Sequence, residues 1–143
     1  MPLHSNISLS HSWTRRRINV ETTRLRVLVV DDNQNAAEAL ASYLTLEEMD
    51  CQMAFGGTQA ISVVITWQPH VIIMDISMPD CNGFEAALAL RRDIRTCGIA
   101  IIAFTALDET EVHRHLTDHE FDGYCQKGQP PTSLVALVMS FAE

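Results

Sequence analysis

Two stretches decide the fold: residues 27–32 read Val-Leu-Val-Val-Asp-Asp, and residues 71–75 read Val-Ile-Ile-Met-Asp. Each is a short apolar run that ends abruptly at an acidic residue. Continuously apolar runs of this length are typical of strands that are buried on both faces of a sheet. The two stretches therefore predict two strands of a parallel sheet, each with a carboxylate at its carboxyl end.

The chain from Leu25 onward repeats this alternation of a short apolar run and a helical pattern. The first helical face is spaced i, i+3, i+4, i+7 and consists of Ala37, Leu40, Ala41 and Leu44. Strands are predicted at residues 27–30, 51–55, 71–74, 99–104 and 121–125, with a helix after each, the fourth of them polar and over residues 109–118. Five such units predict the doubly wound α/β class, a parallel sheet with helices on both faces.

Polar side chains gather at one edge of this predicted sheet. Right-handed crossovers bring the carboxyl ends of all strands to the same edge, where ligands bind in such folds. The residues that fall there are Asp31, Asp32, Asp75, Thr105 and Lys127, the last being the only lysine of the chain. The sequence therefore predicts a site of three carboxylates, one hydroxyl and one ammonium group.

This combination of groups indicates phosphoryl transfer. Three crowded carboxylates repel one another unless a cation shares the site, and carboxylate oxygens suit Mg²⁺, which pairs with phosphate oxygens. A lysine and a threonine hydroxyl can contact a phosphoryl group, and a carboxylate can accept one as an aspartyl phosphate. The chain has no Walker loop and no G-x-G-x-x-G, so the phosphoryl group has to come from another molecule.

These motifs resemble the receiver domain of two-component response regulators. The residues that carry the resemblance are Val29 to Asn33, Met74 to Pro79 with Gly83, Phe104 to Ala106, and Tyr124 with Lys127. The resemblance covers residues 25–143. It implies a flavodoxin-like fold, similar to that of chemotaxis receivers, with a five-stranded parallel sheet of order 2-1-3-4-5.

The resemblance also implies a role for each acidic residue. Asp75 matches the phosphoacceptor, which receives a phosphoryl group from a histidine of a partner kinase or histidine phosphotransfer protein. Asp31, Asp32 and Asp75 match the Mg²⁺ site, which the backbone carbonyl of Ser77 completes. The implied protein is a signalling switch and not an enzyme, because it catalyses only its own phosphorylation and dephosphorylation.

Three further residues match the parts of a receiver that respond to phosphate. Lys127 and Thr105 match the catalytic pair that contacts the phosphoryl group. Thr105 and Tyr124 match the switch, in which Tyr124 turns inward after phosphorylation. Receivers usually have a cis Lys-Pro bond where this chain has Lys127-Gly128. Because a cis bond before a residue other than proline costs roughly 2.5–4 kcal/mol, we expect a trans bond and a different path to Pro131.

Composition sets further expectations. The chain has 143 residues, 47% of them hydrophobic and 20% charged, which suits one domain. Residues 1–24 are Ser- and Arg-rich without a hydrophobic period, which predicts a flexible leader or linker before a domain at residues 25–143, a transit peptide being the alternative.

That domain has six basic and seventeen acidic residues, which argues against direct nucleic-acid binding. No apolar run is long enough to span a membrane, and four scattered cysteines fit a cytoplasmic protein.

Four functions remain open at this point. The leading one is a stand-alone receiver, read by an unknown downstream protein or passing its phosphate on in a relay, since the sequence ends after the last predicted helix. The others are a receiver detached from a hybrid histidine kinase, a haloacid-dehalogenase-type phosphatase, and a flavodoxin-like electron carrier. The phosphatase expects an aspartate at Ser77, and the carrier expects a Ser/Thr/Gly loop at residues 31–32.

The last helix is apolar around most of its circumference, including Val135 and Met139, which fits either a well-covered helix or a homodimer or partner surface.

Overall fold

The computed structural model describes residues 9–21 and 24–142. The strands are β1 (Ser10–Ser12), β2 (Arg26–Val30), β3 (Asp50–Ala54), β4 (Val71–Met74), β5 (Ala100–Thr105) and β6 (Gly123–Gln126). The helices are α1 (Gln34–Leu46), α2 (Gly57–Trp67), α3 (Gly83–Arg91), α4 (Glu109–Arg114) and α5 (Pro131–Ser140). Residues 1–8, 22–23 and 143 lie outside the described part, so the leader predicted over residues 1–24 is described only from residue 9, without residues 22–23.

The sheet has the order β1-β6-β5-β4-β2-β3. Strands β2 to β6 are parallel, and their order is the predicted 2-1-3-4-5, so the doubly wound α/β class is confirmed. The sixth strand, β1, was not predicted. It pairs antiparallel with β6, with His11 opposite Tyr124, and extends the sheet at that edge.

Helices cover both faces of the sheet, as the apolar strands require. On one face, α1 and α5 pack on Val27, Val29 and Ile73; on the other, α2, α3 and α4 pack on Leu28 and Val30. Successive residues of β2 thus point to opposite layers and are buried on both sides. In the described part of the chain, no helix has the length and apolar character needed to cross a membrane.

The fourth helix is shorter than predicted. It ends at Arg114, whereas the sequence predicts a helix over residues 109–118. The side chain of Glu120 is fully buried, and its carboxylate accepts hydrogen bonds from the N–H groups of Thr117 (2.9 Å) and Asp118 (2.7 Å). These bonds hold a turn where the helix would otherwise continue. Strand β6 begins at Gly123 rather than at the predicted residue 121.

Residues 9–18, which we call the strap, run across the edge of the sheet. Beyond β1, the N–H of Trp13 donates to the carbonyl of Asp122 (2.6 Å), and the N–H of Ile18 donates to the carbonyl of Phe141 (2.8 Å). Ile18 is buried against the α1/α5 layer. The segment predicted as a flexible leader thus contains a strand and a buried anchor, although the domain boundary at residue 25 stays a prediction.

The peptide bond after Lys127 has the expected trans form, whereas the different path of the loop to Pro131 stays a prediction. No peptide bond among the described residues is cis, so the bond between Lys127 and Gly128 is trans. Gly128 has φ +98°, a backbone conformation that glycine adopts readily and other residues rarely do. Pro131 begins α5, where its missing N–H has no helical partner to lose.

Candidate functional site

The predicted site residues meet at the carboxyl edge of the sheet. Asp31 follows β2, Asp75 follows β4, Thr105 ends β5 and Lys127 follows β6. The N–H of Asp75 donates to the carbonyl of Val30 (2.9 Å), and the N–H of Lys127 donates to the carbonyl of Thr105 (2.8 Å). Parallel pairing therefore brings together side chains that lie far apart in the sequence.

Three carboxylates form a cluster at this edge. Asp31, Asp32 and Asp75 each place a carboxylate oxygen within 4.8 Å of the other two. Asp31 and Asp75 are buried, whereas Asp32 is exposed. The N–H of Asn33 donates to Asp31 Oδ1 (2.9 Å), and the Asn33 side chain accepts the N–H of Ala36 (3.1 Å), which caps α1. The bend that starts α1 therefore also orients Asp31.

Lys127 is the cation that faces this cluster. Its Nζ lies 2.9 Å from Asp31 Oδ2 and 3.5 Å from Asp75 Oδ2, and 5.6 Å from the centre of the Phe104 ring. One ammonium group cannot neutralise three carboxylates. The donor set consists of hard carboxylate oxygens with excess negative charge, which is the set that Mg²⁺ prefers. These residues therefore fit a magnesium ion.

Burial changes the acidity of the central groups. It raises the pKa of the Asp75 carboxyl from 3.8 to about 6; the Lys127 ammonium opposes this rise, and the Asp31 carboxylate adds to it. Burial lowers the pKa of Lys127, but the hydrogen bond to Asp31 and the charge of Asp75 outweigh burial and raise it overall. The ionised form of Asp75 is therefore costly at neutral pH until a further cation binds.

We expect Asp75→Asn to stabilise the metal-free protein at about pH 7.5. The folded chain binds the Asp75 proton more tightly than the unfolded chain does. The free energy of unfolding therefore falls as the pH rises from about 4 to about 6, and the cost is fully present above that range. Because 1 kcal/mol moves the melting temperature of a domain by about 2–8 °C, the variant should melt several degrees higher with a chelator present.

Thermal melts of Asp75→Asn and Asp32→Asn check this expectation. The exposed carboxylate of Asp32 is desolvated less, so its variant should shift less. The gain of Asp75→Asn should shrink near pH 4, where the native carboxyl is protonated, and should also shrink when Mg²⁺ is added. A midpoint at or below that of the wild type at neutral pH without metal would contradict the expectation.

The two predicted switch residues are both buried and share a partner. Thr105 Oγ1 accepts the N–H of Leu107 (3.2 Å), and the hydroxyl of Tyr124 donates to the carbonyl of Leu107 (2.7 Å). Tyr124 is fully buried. It therefore already lies inward in this structure, whereas the sequence led us to expect an inward turn after phosphorylation. The switch roles of both residues stay a prediction.

The loop after Asp75 is closed by two backbone hydrogen bonds. The N–H groups of Met78 and Gly83 both donate to the carbonyl of Ile76, each at 3.0 Å. A Cβ at residue 83 would lie 2.4 Å from the carbonyl oxygen of Asp75 and 2.7 Å from the Cα of Ile76, so only glycine fits. Ser77 is exposed within this loop, and the role of its carbonyl as a metal ligand stays a prediction.

We expect Gly83→Ala to lower the free energy of unfolding by about 2 kcal/mol or more, because the clash involves backbone atoms that cannot rotate away. The matched control is Gly98→Ala, since a Cβ at residue 98 would meet nothing within 4 Å and should be neutral or slightly stabilising. Urea unfolding measures both variants. Equal stability of the two variants would show that residue 83 does not lie as close to the backbone of Asp75 and Ile76 as the structure indicates.

A cleft of about 440 Å³ beside the carboxylates was not predicted from the sequence. Asp31 and Lys127 line one end of it, and its mainly apolar walls include Leu40, Tyr43 and Phe104. Leu40 and Tyr43 are three residues apart on α1, so the partly exposed edge of the α1 helical pattern was a signal that could have indicated it. We call this feature the site cleft.

Comparison with known proteins decides the family. Residues 27–139 match the sequence model of the response regulator receiver domain. The chain belongs to this family. The receiver is 34% identical over 119 residues to the DNA-binding response regulator MtrA of Mycobacterium tuberculosis, covering 83% of this chain and 51% of MtrA. It is 33% identical over 110 residues to the phosphate regulon transcriptional regulatory protein PhoB of Pseudomonas aeruginosa, covering 77% of this chain and 48% of PhoB.

Solved structures agree with this assignment. The receiver aligns with the response regulator TrrA of Thermotoga maritima, solved in complex with Mg(2+)-BeF, with a TM-score of 0.74 and 28% identity over 82% of this chain and 98% of that one. The flavodoxin-like receiver fold is therefore confirmed, and the chain is a response regulator receiver domain of two-component signalling.

One prediction requires correction. The acidic charge of residues 25–143 led us to exclude direct nucleic-acid binding, yet MtrA is a DNA-binding response regulator and PhoB a transcriptional regulator. The receiver spans about half the length of these relatives. The charge of a receiver describes only that domain and carries no information about the other half of such a protein, so the exclusion was wrong.

The last helix buries one apolar face and leaves one large apolar side chain exposed. Leu134, Leu137 and Val138 are buried, while Met139 is 50% exposed and Val135 is partly buried against the α1/α5 layer. One large apolar side chain thus remains at the surface of α5. The homodimer stays a prediction.

Proposed function

We propose that the receiver takes a phosphoryl group onto Asp75 from the phosphohistidine of a partner kinase or histidine phosphotransfer protein, in a reaction that requires Mg²⁺. The observation that carries this proposal is the buried carboxylate of Asp75, which lies 3.5 Å from Lys127 Nζ and within 4.8 Å of the Asp31 and Asp32 oxygens. The TrrA complex with Mg(2+)-BeF supports it, because beryllium fluoride is a stand-in for a phosphoryl group.

Each residue has a distinct task in the proposed transfer. A carboxylate oxygen of Asp75 attacks phosphorus as the phosphorus–nitrogen bond of the donor breaks, and the electron pair of that bond stays on the imidazole nitrogen. The product is an aspartyl phosphate at Asp75. Lys127 neutralises one phosphoryl oxygen, and the hydroxyl of Thr105 donates to another. Asp31, Asp32 and Asp75 would hold a magnesium ion, which would supply positive charge for the phosphoryl oxygens.

The site cleft offers the donor protein a place to dock. Its apolar walls on α1 and β5 can pack against an apolar helix face, and Asp31 and Lys127 at its end lie next to Asp75. A donor bound there would present its histidine to the acceptor carboxylate. Proximity of this kind is the main contribution a protein can make to phosphoryl transfer between side chains.

The phosphorylated receiver acts as a signal that an output domain or another protein recognises, and not as a metabolic enzyme.

The cysteines indicate where the reaction takes place. All four are free, and one of them, Cys97, is exposed. Free thiols of this kind suit the reducing cytoplasm, where we place the reaction.

Incubation of the full chain with acetyl phosphate and Mg²⁺, followed by intact-mass measurement, tests this proposal. We expect uptake of one phosphoryl group per chain, slow loss afterwards, and no uptake when a chelator removes Mg²⁺. Repeated turnover of the donor would instead indicate a phosphatase. Absence of uptake with Mg²⁺ present would contradict the proposal.

A further inference from the structure

The strap covers the side of the receiver that carries Tyr124. The indole ring of Trp13 stacks on the Tyr124 ring, with centroids 5.5 Å apart and planes inclined by 8°. Its N–H donates to Glu109 Oε2 at 2.7 Å, and His11 Nε2 lies 3.0 Å from the same oxygen. The ring of His11 meets Tyr124 edge-on at 6.2 Å. The predicted switch residue is therefore enclosed by a segment of its own chain.

The two halves of the strap are held by different contacts. In the half from Thr14 to Ile18, the side chains of Thr14 and Arg16 each bind the buried carboxylate of Asp122 at 2.8 Å, and Ile18 is buried. In the half from residue 9 to Trp13, β1 pairs with β6, Trp13 rests on Tyr124 and Glu109, and the His11 and Glu109 side chains are 36% and 34% exposed. The Asp122 bonds and the buried Ile18 hold Thr14 to Ile18 without help from Tyr124 or Glu109, so residues 9–13 can detach while Thr14 to Ile18 stay bound.

A continuous set of contacts joins residues 9–13 to the candidate site. Thr105 Oγ1 accepts a hydrogen bond from the N–H of Leu107, and the carbonyl of Leu107 accepts one from the hydroxyl of Tyr124. Glu109, two residues after Leu107, begins α4 and accepts a hydrogen bond from the indole N–H of Trp13. Along α4 only Val112 is buried, and a cleft of about 400 Å³ beside Trp13 leaves this helix room to move. A displacement of the Leu107 loop therefore shifts Glu109 and alters the hydroxyl contact of Tyr124, the two groups on which Trp13 rests.

We propose that residues 9–13 cover the face formed by Glu109 of α4 and Tyr124 of β6 in the unphosphorylated receiver, and that they are released when Asp75 is phosphorylated. This inference rests on the proposed function. When the Thr105 hydroxyl turns toward the phosphoryl group, it gives up the N–H of Leu107, and the loop carries Glu109 away from Trp13. Release uncovers Tyr124 and the outer edge of β6. Residues 9–13 therefore compete with any protein that binds this surface of the receiver. By linkage, weakening the strap must favour the phosphoryl-bound state by the same factor.

Fluorescence of Trp13 tests the release. Trp13 and Trp67 are the two tryptophans of the chain, so Trp67→Phe leaves Trp13 as the single indole. We expect acrylamide to quench Trp13 several-fold more strongly after Mg²⁺ and beryllium fluoride are added together than after Mg²⁺ alone. Unchanged or weaker quenching, with beryllium fluoride shown by calorimetry to be bound, would overturn the inference and leave the proposed function intact.

Calorimetry on the otherwise native chain tests the coupling independently. We expect Trp13→Ala to bind beryllium fluoride in the presence of Mg²⁺ about 5-fold or more tightly than the wild type does, which is the lower end of typical coupling. Trp13→Phe, which keeps a stacked ring, should fall between the two. Arg17→Ala, at an exposed strap residue whose guanidinium bonds to the carbonyl of the adjacent Arg16, should match the wild type. Equal or weaker binding by Trp13→Ala would overturn the inference, and no binding by the wild type would contradict the proposed function itself.

Discussion

Asp75→Asn is expected to take up no phosphoryl group from acetyl phosphate under conditions that modify the wild-type chain. An amide cannot act as the nucleophile that forms an acyl phosphate. The neighbouring carboxylate of Asp31 is the poorer nucleophile, because one of its oxygens accepts the N–H of Asn33 and the other contacts Lys127 Nζ at 2.9 Å. Asp75 has the longer contact with Lys127, at 3.5 Å, and keeps an oxygen available for phosphorus.

The matched control for this experiment is Asp80→Asn. Asp80 is exposed in the loop that follows the acceptor, and its backbone has φ +65°, a conformation that asparagine tolerates. The control should be modified like the wild type. Uptake retained by Asp75→Asn, at the wild-type rate and on another side chain, would contradict the assignment.

Asp122→Asn is expected to lower the free energy of unfolding by about 3–5 kcal/mol, the usual cost of removing one partner of a buried ion pair. The Asp122 side chain is 1% exposed. Its Oδ2 accepts hydrogen bonds from Arg91 and from the N–H of Ile101, and its Oδ1 accepts Thr14 and Arg16. Burial already lowers the pKa of the Arg91 guanidinium, so loss of the opposing carboxylate leaves a buried positive charge without its partner.

Asp93→Asn controls for the removal of an acidic residue paired with arginine. Asp93 binds Arg95 at the surface, where such pairs contribute little, so its variant should unfold at the wild-type urea concentration. Urea unfolding of both variants, read with the same slope, gives the difference. A loss for Asp122→Asn as small as that of the control would show that the Asp122 cluster does not anchor the strap and β5.

The sequence predicted the features that depend on chain order and periodicity. Four-residue apolar runs that end at Asp31 and Asp75 determine where two strands stop, and the crossover rule then places both carboxylates on one edge. The same reasoning placed Lys127 on the edge that carries Asp75, although it lies 52 residues further along the chain, and in the structure the two side chains are 3.5 Å apart. The trans bond at Lys127-Gly128 followed from the absence of proline alone.

Features that depend on tertiary contacts were not predicted. Strand β1 has only three residues, reads Ser-His-Ser, and forms because the edge of β6 supplies its hydrogen bonds. The Trp13 stack and the Asp122 cluster join residues about a hundred positions apart, so no local pattern announces them. A weak signal did exist: His11 and Trp13 alternate along the chain and so face the same side of a strand.

The most direct test of Asp75 as the acceptor is reductive trapping of the phosphorylated chain. Borohydride converts an aspartyl phosphate to homoserine, which peptide mass spectrometry locates by residue. After treatment of the full chain with acetyl phosphate and Mg²⁺, the predicted result is homoserine at residue 75 and an intact aspartate at residues 31 and 32. Homoserine at another carboxylate, with aspartate retained at residue 75, would contradict the proposed phosphoacceptor.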